Sequence, residues 1–321
     1  IAAMIVSASA TKRLPFSGFL VNKAMTISVS AQASFAAGAT YKACLMALKK
    51  DASGTFSVGG NATVHAKCGL GALSCADDAI TVGGSATVDT DSIATCGTAN
   101  VPANLQSVVT EHANVSNPFA DLPAPTPTDT SSKTFSCPKK GTAYLSPGVY
   151  TGGISAQCPV VFSSGIYVIN GGTLDLSSQK AQVTGNNVMF VLKNGATISM
   201  TGQGNAGTIN LTPMQAGDFA GTANAAYADK YANMLIYEDA TGQTSPVTDK
   251  LAGNSSITMS GTVYLPNANV TVTGNSSTTP LCFQIWASTI TITGSATLST
   301  TCTTDETNDA GSSAGGVRLV A

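Results

Sequence analysis

The eight cysteines of this chain fall into four consecutive pairs with nearly one spacing. Cys44 to Cys68 spans 24 residues, Cys75 to Cys96 and Cys137 to Cys158 span 21, and Cys282 to Cys302 spans 20. An interval of about 20 residues is the circumference of one turn of a β-solenoid. Neighbouring turns stack about 4.8 Å apart, and a disulfide needs Cα atoms roughly 4.4–6.8 Å apart. Each pair is therefore expected to staple one coil to the next. An even count with regular spacing favours disulfides and an oxidising compartment, and no pair has the CxxC spacing of a zinc or redox site.

Composition narrows the function classes. Charged residues are 10% of 321, against about 25% in ordinary domains, and the net charge is −2. Nothing here favours nucleic acid or an anionic membrane. No apolar run reaches the roughly 18 residues of a membrane helix. The opening IAAMIVSASATKRLPF is no signal peptide, and a processed or truncated start is expected, with the export signal already removed.

Residues 1–40 read as an arm or cap. TISVSAQASF (26–35) alternates like a strand, while a helical reading of AAMIVSASA remains open. From Cys44 a phrase recurs: FSVGGNATVHAKC (56–68), ITVGGSATVDTDSIATC (80–96), LKNGATISMTG (192–202), VTVTGNSSTTPLC (270–282) and ITITGSATLSTTC (290–302). Gly60 and Gly84 are 24 apart, and Gly253, Gly274 and Gly294 follow at 21 and 20. The glycine period equals the cysteine period, so these five are expected at coil corners, where φ > 0 or close approach is required. Alternating runs such as ITITG turn one face inward, and Asn and Thr ladders are expected along the axis. The stretch 117–134, NPFADLPAPTPTDTSSKT, holds four prolines and suits neither a central strand nor a helix. It reads as a connector between coil blocks 41–116 and 135–321. The run 213–233 allows a short helix or protruding loop. MLIYED (234–239) then resumes the core, and the terminal GGVRLVA is expected to close the last coil.

Over 147–213 the phrases PGVYTGG, SSGIYVINGG and VTGNNVMFVL, with GTVYLPNANVTVTGNSS (261–277) and GTFSVGGNATV near residue 60, resemble the secreted part of TadG-like proteins of the bacterial Tad (Flp) pilus machinery. The resemblance covers about residues 40–321. It implies a periplasmic or extracellular protein, accessory to a pilus, with no assigned catalysis. Such proteins ordinarily begin with a membrane-anchoring helix. None is read here, so a released or polymerised form is expected.

Catalytic chemistry finds little material. β-Solenoid lyases and hydrolases need clustered carboxylates, often with Ca²⁺. The nearest groups are Asp77–Asp78 and Asp89–Asp91, which read as solvated corners, and Asp305, Glu306 and Asp309 in a polar loop. His65 and His112 lie 47 residues apart with no acid in a shared motif, a poor catalytic couple. Trp286 reads as core. The N-x-S/T sequences read as Asn corners, and GQGNAG (202–207) lacks the Lys-Ser/Thr of a phosphate loop.

The expected fold is all-β: a right-handed parallel β-helix of about 20 residues per coil and roughly 10–12 turns. The expected role is non-enzymatic: an extracellular structural protein that forms homo-oligomers or filaments through solenoid ends and the N-terminal arm, with pilus components as further partners. No cofactor, metal or small-molecule substrate is expected. An adhesin would need an exposed aromatic row, drawn from Tyr150, Tyr167, Tyr227, Tyr231 and Tyr237. A polysaccharide lyase or hydrolase is the third alternative.

Overall fold

The computed structural model describes residues 3–12, 25–36, 40–178, 180–200, 207–251, 256–273, 281–303, 306–312 and 316–320. Gly253, Gly274 and Asp305 lie outside them. The chain is 51% strand and 6% helix and divides into two compact units, Ile1–Thr40 with Ser312–Ala321, and Tyr41–Gly311.

The smaller unit is a three-stranded antiparallel sheet. Ala3–Lys12 pairs with Met25–Ala36, which pairs in turn with Gly316–Val320. The helical reading of the opening residues gives way to their period-2 alternation, which suits a strand. The terminal GVRLV does not close a coil. The last long strand of the larger unit, Phe283–Ile292, already has parallel partners on both sides, so its edge is taken. The arm supplies the terminal strand with a free edge instead.

The larger unit is built from parallel ladders. The first runs through partners Ile93, Leu70, Leu45, Ile285, Val263, Ile236, Phe190, Tyr167 and Gly148. The second runs through Ala99, Ile80, Phe56, Ile290, Val270 and Asp249, then from Ile198 to Leu174 and Ile154. A third has two parts, Thr87–Thr63–Thr297 and Ala143–Val160–Val183–Ile209–Ile257. The chain visits them in rotation. Residues 160–162, 165–170 and 173–175 belong to the third, first and second ladders, and 182–185, 188–193 and 197–199 repeat the order.

The stacking order departs from the chain order. Residues 285–292 pair with Leu45–Ala47 and Phe56–Val58, so the last strands of the unit sit on its first. The ends of the first ladder are Val109–Thr110, beside Ile93 and Ala94, and Ser132–Lys133, beside Val149 and Tyr150. These two strands are neighbours in sequence. The chain between them must travel about ten strand spacings, roughly 48 Å. The 22 residue steps from Thr110 to Ser132 reach at most about 75 Å, so the crossing is feasible without strain. The contacts follow that path. Asn117 Nδ2 donates to Tyr264 Oη, Tyr237 Oη to the Leu122 carbonyl, and Tyr231 Oη to that of Pro123, while Thr126 exchanges hydrogen bonds with the Asn224 amide. Prolines fit this strap because it spends no N–H on a ladder.

The strap explains why the first-ladder strands do not alternate. MLIYE, in Met234–Glu238, is buried throughout, as are residues 283–288 of Phe283–Ile292. One face points into the main core with Phe56, Ile80, Phe190 and Ile290. The other meets a second core in which Phe119 and Leu122 of the strap, with Phe219 and Tyr231 of the 213–233 insertion, cover Trp286, Tyr264 and Tyr237. Phe119 packs edge-on to Trp286 with ring centroids 5.4 Å apart. Strands covered on both faces read as continuous apolar runs. The second ladder keeps an outer polar face, and Phe56–Val58, Ile80–Val82 and residues 289–292 alternate accordingly.

All eight cysteines are bridged: Cys44–Cys68, Cys75–Cys96, Cys137–Cys158 and Cys282–Cys302, with Cα separations of 5.5, 4.5, 5.8 and 4.1 Å. Corner glycines stack as well. Gly60, Gly84 and Gly294 have φ of +66°, +69° and +76°. A Cβ on Gly84 would lie 3.0 Å from the Gly60 carbonyl oxygen, and one on Gly60 would lie 3.0 Å from the Gly294 backbone. Closing loops of 20–24 residues, each disulfide is expected to contribute about 3 kcal/mol through the unfolded chain. The double variant Cys75→Ser/Cys96→Ser should lose about that much in guanidinium denaturation with the same folded circular dichroism.

Candidate functional site

The repeats that build the ladders also decide which side chains meet. ATVHAK and ATVDTD occupy the same place in successive repeats, so His65 pairs with Asp89 in register. His65 Nδ1 lies 3.6 Å from Asp89 Oδ2, and Lys67 Nζ lies 2.7 Å from Asp89 and 3.2 Å from Asp91. His65 thus has an acid partner that no single motif displays; aligning the two phrases was the signal that reveals it. Hydrogen bonding to Lys67 holds the Asp89 carboxyl below its usual range. The group is about half exposed and tied to a lysine, a solvated ion cluster of small, salt-screened effect.

The other polar candidates are dispersed. His112 sits in a left-handed turn (φ 53°) and donates its backbone N–H to the Gly97 carbonyl. Asp77 and Asp78 are exposed, and the Asp78 backbone N–H donates to Thr98 Oγ1 at 2.8 Å. Glu306 accepts from Thr303 within its own turn, and Asp309 pairs with Lys42 at 2.9 Å. Among the described residues no three His, Cys, Asp or Glu side chains are placed to hold a metal ion.

The aromatic row is mostly interior. Tyr150, Tyr167, Tyr231 and Tyr237 are buried, and Tyr227 is 43% exposed. Tyr150 stacks on Tyr167 inside the main core. Trp286 is fully buried, with no partner for Nε1.

Three surfaces and one interior pair remain. The outer face of the second ladder carries hydroxyls and amides in columns. Thr289 Oγ1 donates to Asn269 Oδ1 at 2.8 Å, Thr173 and Thr197 hydroxyls meet at 2.9 Å, and Ser57 Oγ donates to Thr291 Oγ1 at 3.3 Å. At the Ser132–Lys133 end, the strand Ala143–Leu145 has a described ladder partner, Val160–Phe162, on one side only. A cleft of about 550 Å³ opens beside it, lined by Lys133, Phe135, Cys137, Tyr144 and Tyr150, and Tyr144 is 79% exposed. The third surface is the antiparallel sheet of the smaller unit.

The interior pair is Glu238 and Asp249, which flank the bend between Met234–Glu238 and Val247–Leu251. Asp249 takes an inward position of the second ladder that is Val270 in the adjoining strand. It is fully buried, its Oδ1 accepts from the Ile198 N–H at 2.8 Å, and its Oδ2 has no partner. Glu238 is 1% exposed; Oε2 accepts from the Asn267 N–H at 2.8 Å and Oε1 has no partner. Burial pushes the Glu238 carboxyl up to about 7 and that of Asp249 to about 6. Sequence reading singled out neither: it placed Glu238 in the core strand MLIYED without following its charge inward, and it passed over VTDKL. Asp249 was legible only through the alternation of VTDKL.

No helix among the described residues is long and apolar enough to cross a membrane. Comparison with family models, with curated proteins and with solved structures finds no match to this chain.

Proposed function

We propose that this chain is a structural protein of the cell exterior: a right-handed β-solenoid whose windings are clamped by disulfides and which associates with further copies or with a pilus. The observation that carries the reading is where the bridges fall. Cys44–Cys68 adjoins the pair Leu45–Leu70, Cys75–Cys96 adjoins Ala72–Thr95, and Cys282–Cys302 adjoins Leu281–Thr300. Each joins one pass of the chain to the next. Such staples suit a fold that must persist where no chaperone refolds it. The rotation through three ladders supports the winding, and the resemblance to TadG-like proteins supports the pilus.

The open edge of Ala143–Leu145 offers a strand-addition site for a second copy. Negative-stain imaging of the oxidised protein is expected to show elongated particles that join as concentration rises. Particles that stay single at every concentration, in a preparation that releases oligosaccharides from an acidic polysaccharide with Ca²⁺, would overturn the scaffold reading in favour of an enzyme.

A further inference from the structure

The smaller unit has two unlike faces. In the register of Ala3–Lys12 with Met25–Ala36, Ser7 pairs with Ser30, Ser9 with Ser28 and Thr11 with Thr26, and the last two hydroxyls hydrogen-bond at 2.8 Å. On the opposite face Val6 pairs with Ala31, Ala8 with Val29 and Ala10 with Ile27. Val6, Val29 and Ile27 are 56%, 62% and 68% exposed. A sheet with one apolar face requires a second layer.

We infer that this face packs on the same face of a second copy about a two-fold axis parallel to the strands. The inference rests on the reading of the chain as a self-associating protein and specifies one contact for it. Its ground is the register. The three central cross-strand pairs of this face each join one β-branched residue to one alanine, with Met4 opposite Ala33 and Lys12 opposite Met25 at its ends. A two-fold axis along the strands lays each strand over its hairpin partner in the other copy. Val6 then faces Ala31 of the second copy, Val29 faces Ala8, and Ile27 faces Ala10, so large meets small at all six positions. A two-fold axis across the strands would set Val29 on Val29. Aligned sheets about 10 Å apart interdigitate in this large-on-small manner.

The area sets the strength. The two strands that overlap, of 10 and 12 residues, at about 3.4 Å rise and 4.8 Å spacing give a footprint of about 360 Å² per copy. Two faces bury roughly 700 Å², below the 1,200–2,000 Å² of stable complexes. The contact is therefore reversible and concentration-dependent. Being isologous, it closes as a dimer, and a filament needs a second contact such as the open ladder edge.

Sedimentation equilibrium of the oxidised full chain, from about 1 to 100 µM, tests the inference, with circular dichroism confirming that each variant is folded. A monomer–dimer equilibrium is expected. Val29→Lys should weaken it roughly tenfold or more, while Ser28→Lys on the polar face leaves it unchanged. Ala8→Val alone sets valine on valine and should weaken the dimer, and Ala8→Val/Val29→Ala should restore it. A monomer at all concentrations overturns the contact, whether or not the protein co-floats with 3:1 phosphatidylethanolamine–phosphatidylglycerol vesicles. So does a dimer indifferent to Val29→Lys. Imaging separates the two levels: filaments unaffected by Val29→Lys retain the self-associating reading without this contact, and the absence of dimers and filaments alike removes both.

Discussion

Replacing the two buried carboxyls, Glu238→Gln and Asp249→Asn, is expected to make this protein more stable at pH 8 and to flatten its stability–pH profile. Burial disfavours the ionised form of each group, and each has one oxygen without a hydrogen-bond partner. The folded protein therefore holds these protons more tightly than the unfolded chain. Their contribution is fully present below about pH 4, where both carboxyls are protonated in either state, and is lost as pH rises through about 6 and 7. Moving from 3.8 to about 6, and from 4.5 to about 7, sets a ceiling of about 3 kcal/mol for each group at pH 8. The net gain in the amide variants is smaller, because the buried amide also lacks a full set of partners. Denaturant midpoints at pH 4, 6 and 8 read the effect. The parent should weaken steadily across that range relative to the double variant, and parallel profiles would mean that neither carboxyl is buried in the protonated form. Lys193 pairs with Asp239 at 3.1 Å next to Glu238. Lys193→Met therefore serves as the control for a surface ion pair, with little change expected.

Much of the larger unit can be read from the chain because repetition converts one-dimensional spacing into contact. The interval between paired cysteines equals the interval between stacked glycines, and Gly60, Gly84 and Gly294 do meet. The same repetition hides the order of stacking. ITITGSATLS and FSVGGNATVH are as alike as any consecutive repeats, and nothing local tells Ile290 that its partner is Phe56, far back in the sequence. That information resides in the strap: Phe119, Leu122 and four prolines choose a long crossing over a short turn. The polar set was harder to read. His65 and Asp89 become partners only when two phrases are superposed. The tyrosines of a hypothetical glycan row are drawn inward because strap and core cover both faces of the first ladder. The arm was half legible: its alternation predicts strands, but a partner from the opposite terminus has no sequence signature.

The unusual order of strands along the ladders yields the other large effect. With a protease site inserted after Thr130, in the exposed turn around Asp129, cleavage should leave a chain in two pieces that do not separate. All four disulfides lie within a piece, Cys44–Cys68 and Cys75–Cys96 on one side and Cys137–Cys158 and Cys282–Cys302 on the other. No covalent bond therefore spans the cut. What spans it is the seam where Leu45–Ala47 and Phe56–Val58 lie against residues 285–292, with Leu45, Phe56, Ile285 and Ile290 almost wholly buried, together with the strap, whose Phe119 and Leu122 stay with the first piece and pack on Trp286, Tyr264 and Tyr237 of the second. Burying side chains of this size is worth about 1.5–3 kcal/mol each, enough in sum to hold two folded pieces together. The nicked protein should run as one species on native gel filtration and as two bands on a denaturing, non-reducing gel. Strand Gly316–Val320 also reaches across the cut to Met25–Ala36, so the measurement is repeated after deleting residues 316–321. Phe56→Asp with Phe119→Asp in that background places one charge in the seam and one under the strap and should release the pieces. Pieces that part on native gel filtration without these two substitutions would mean that the first and last strands of the larger unit are not neighbours, and the strap would then be an ordinary linker between two separate stacks.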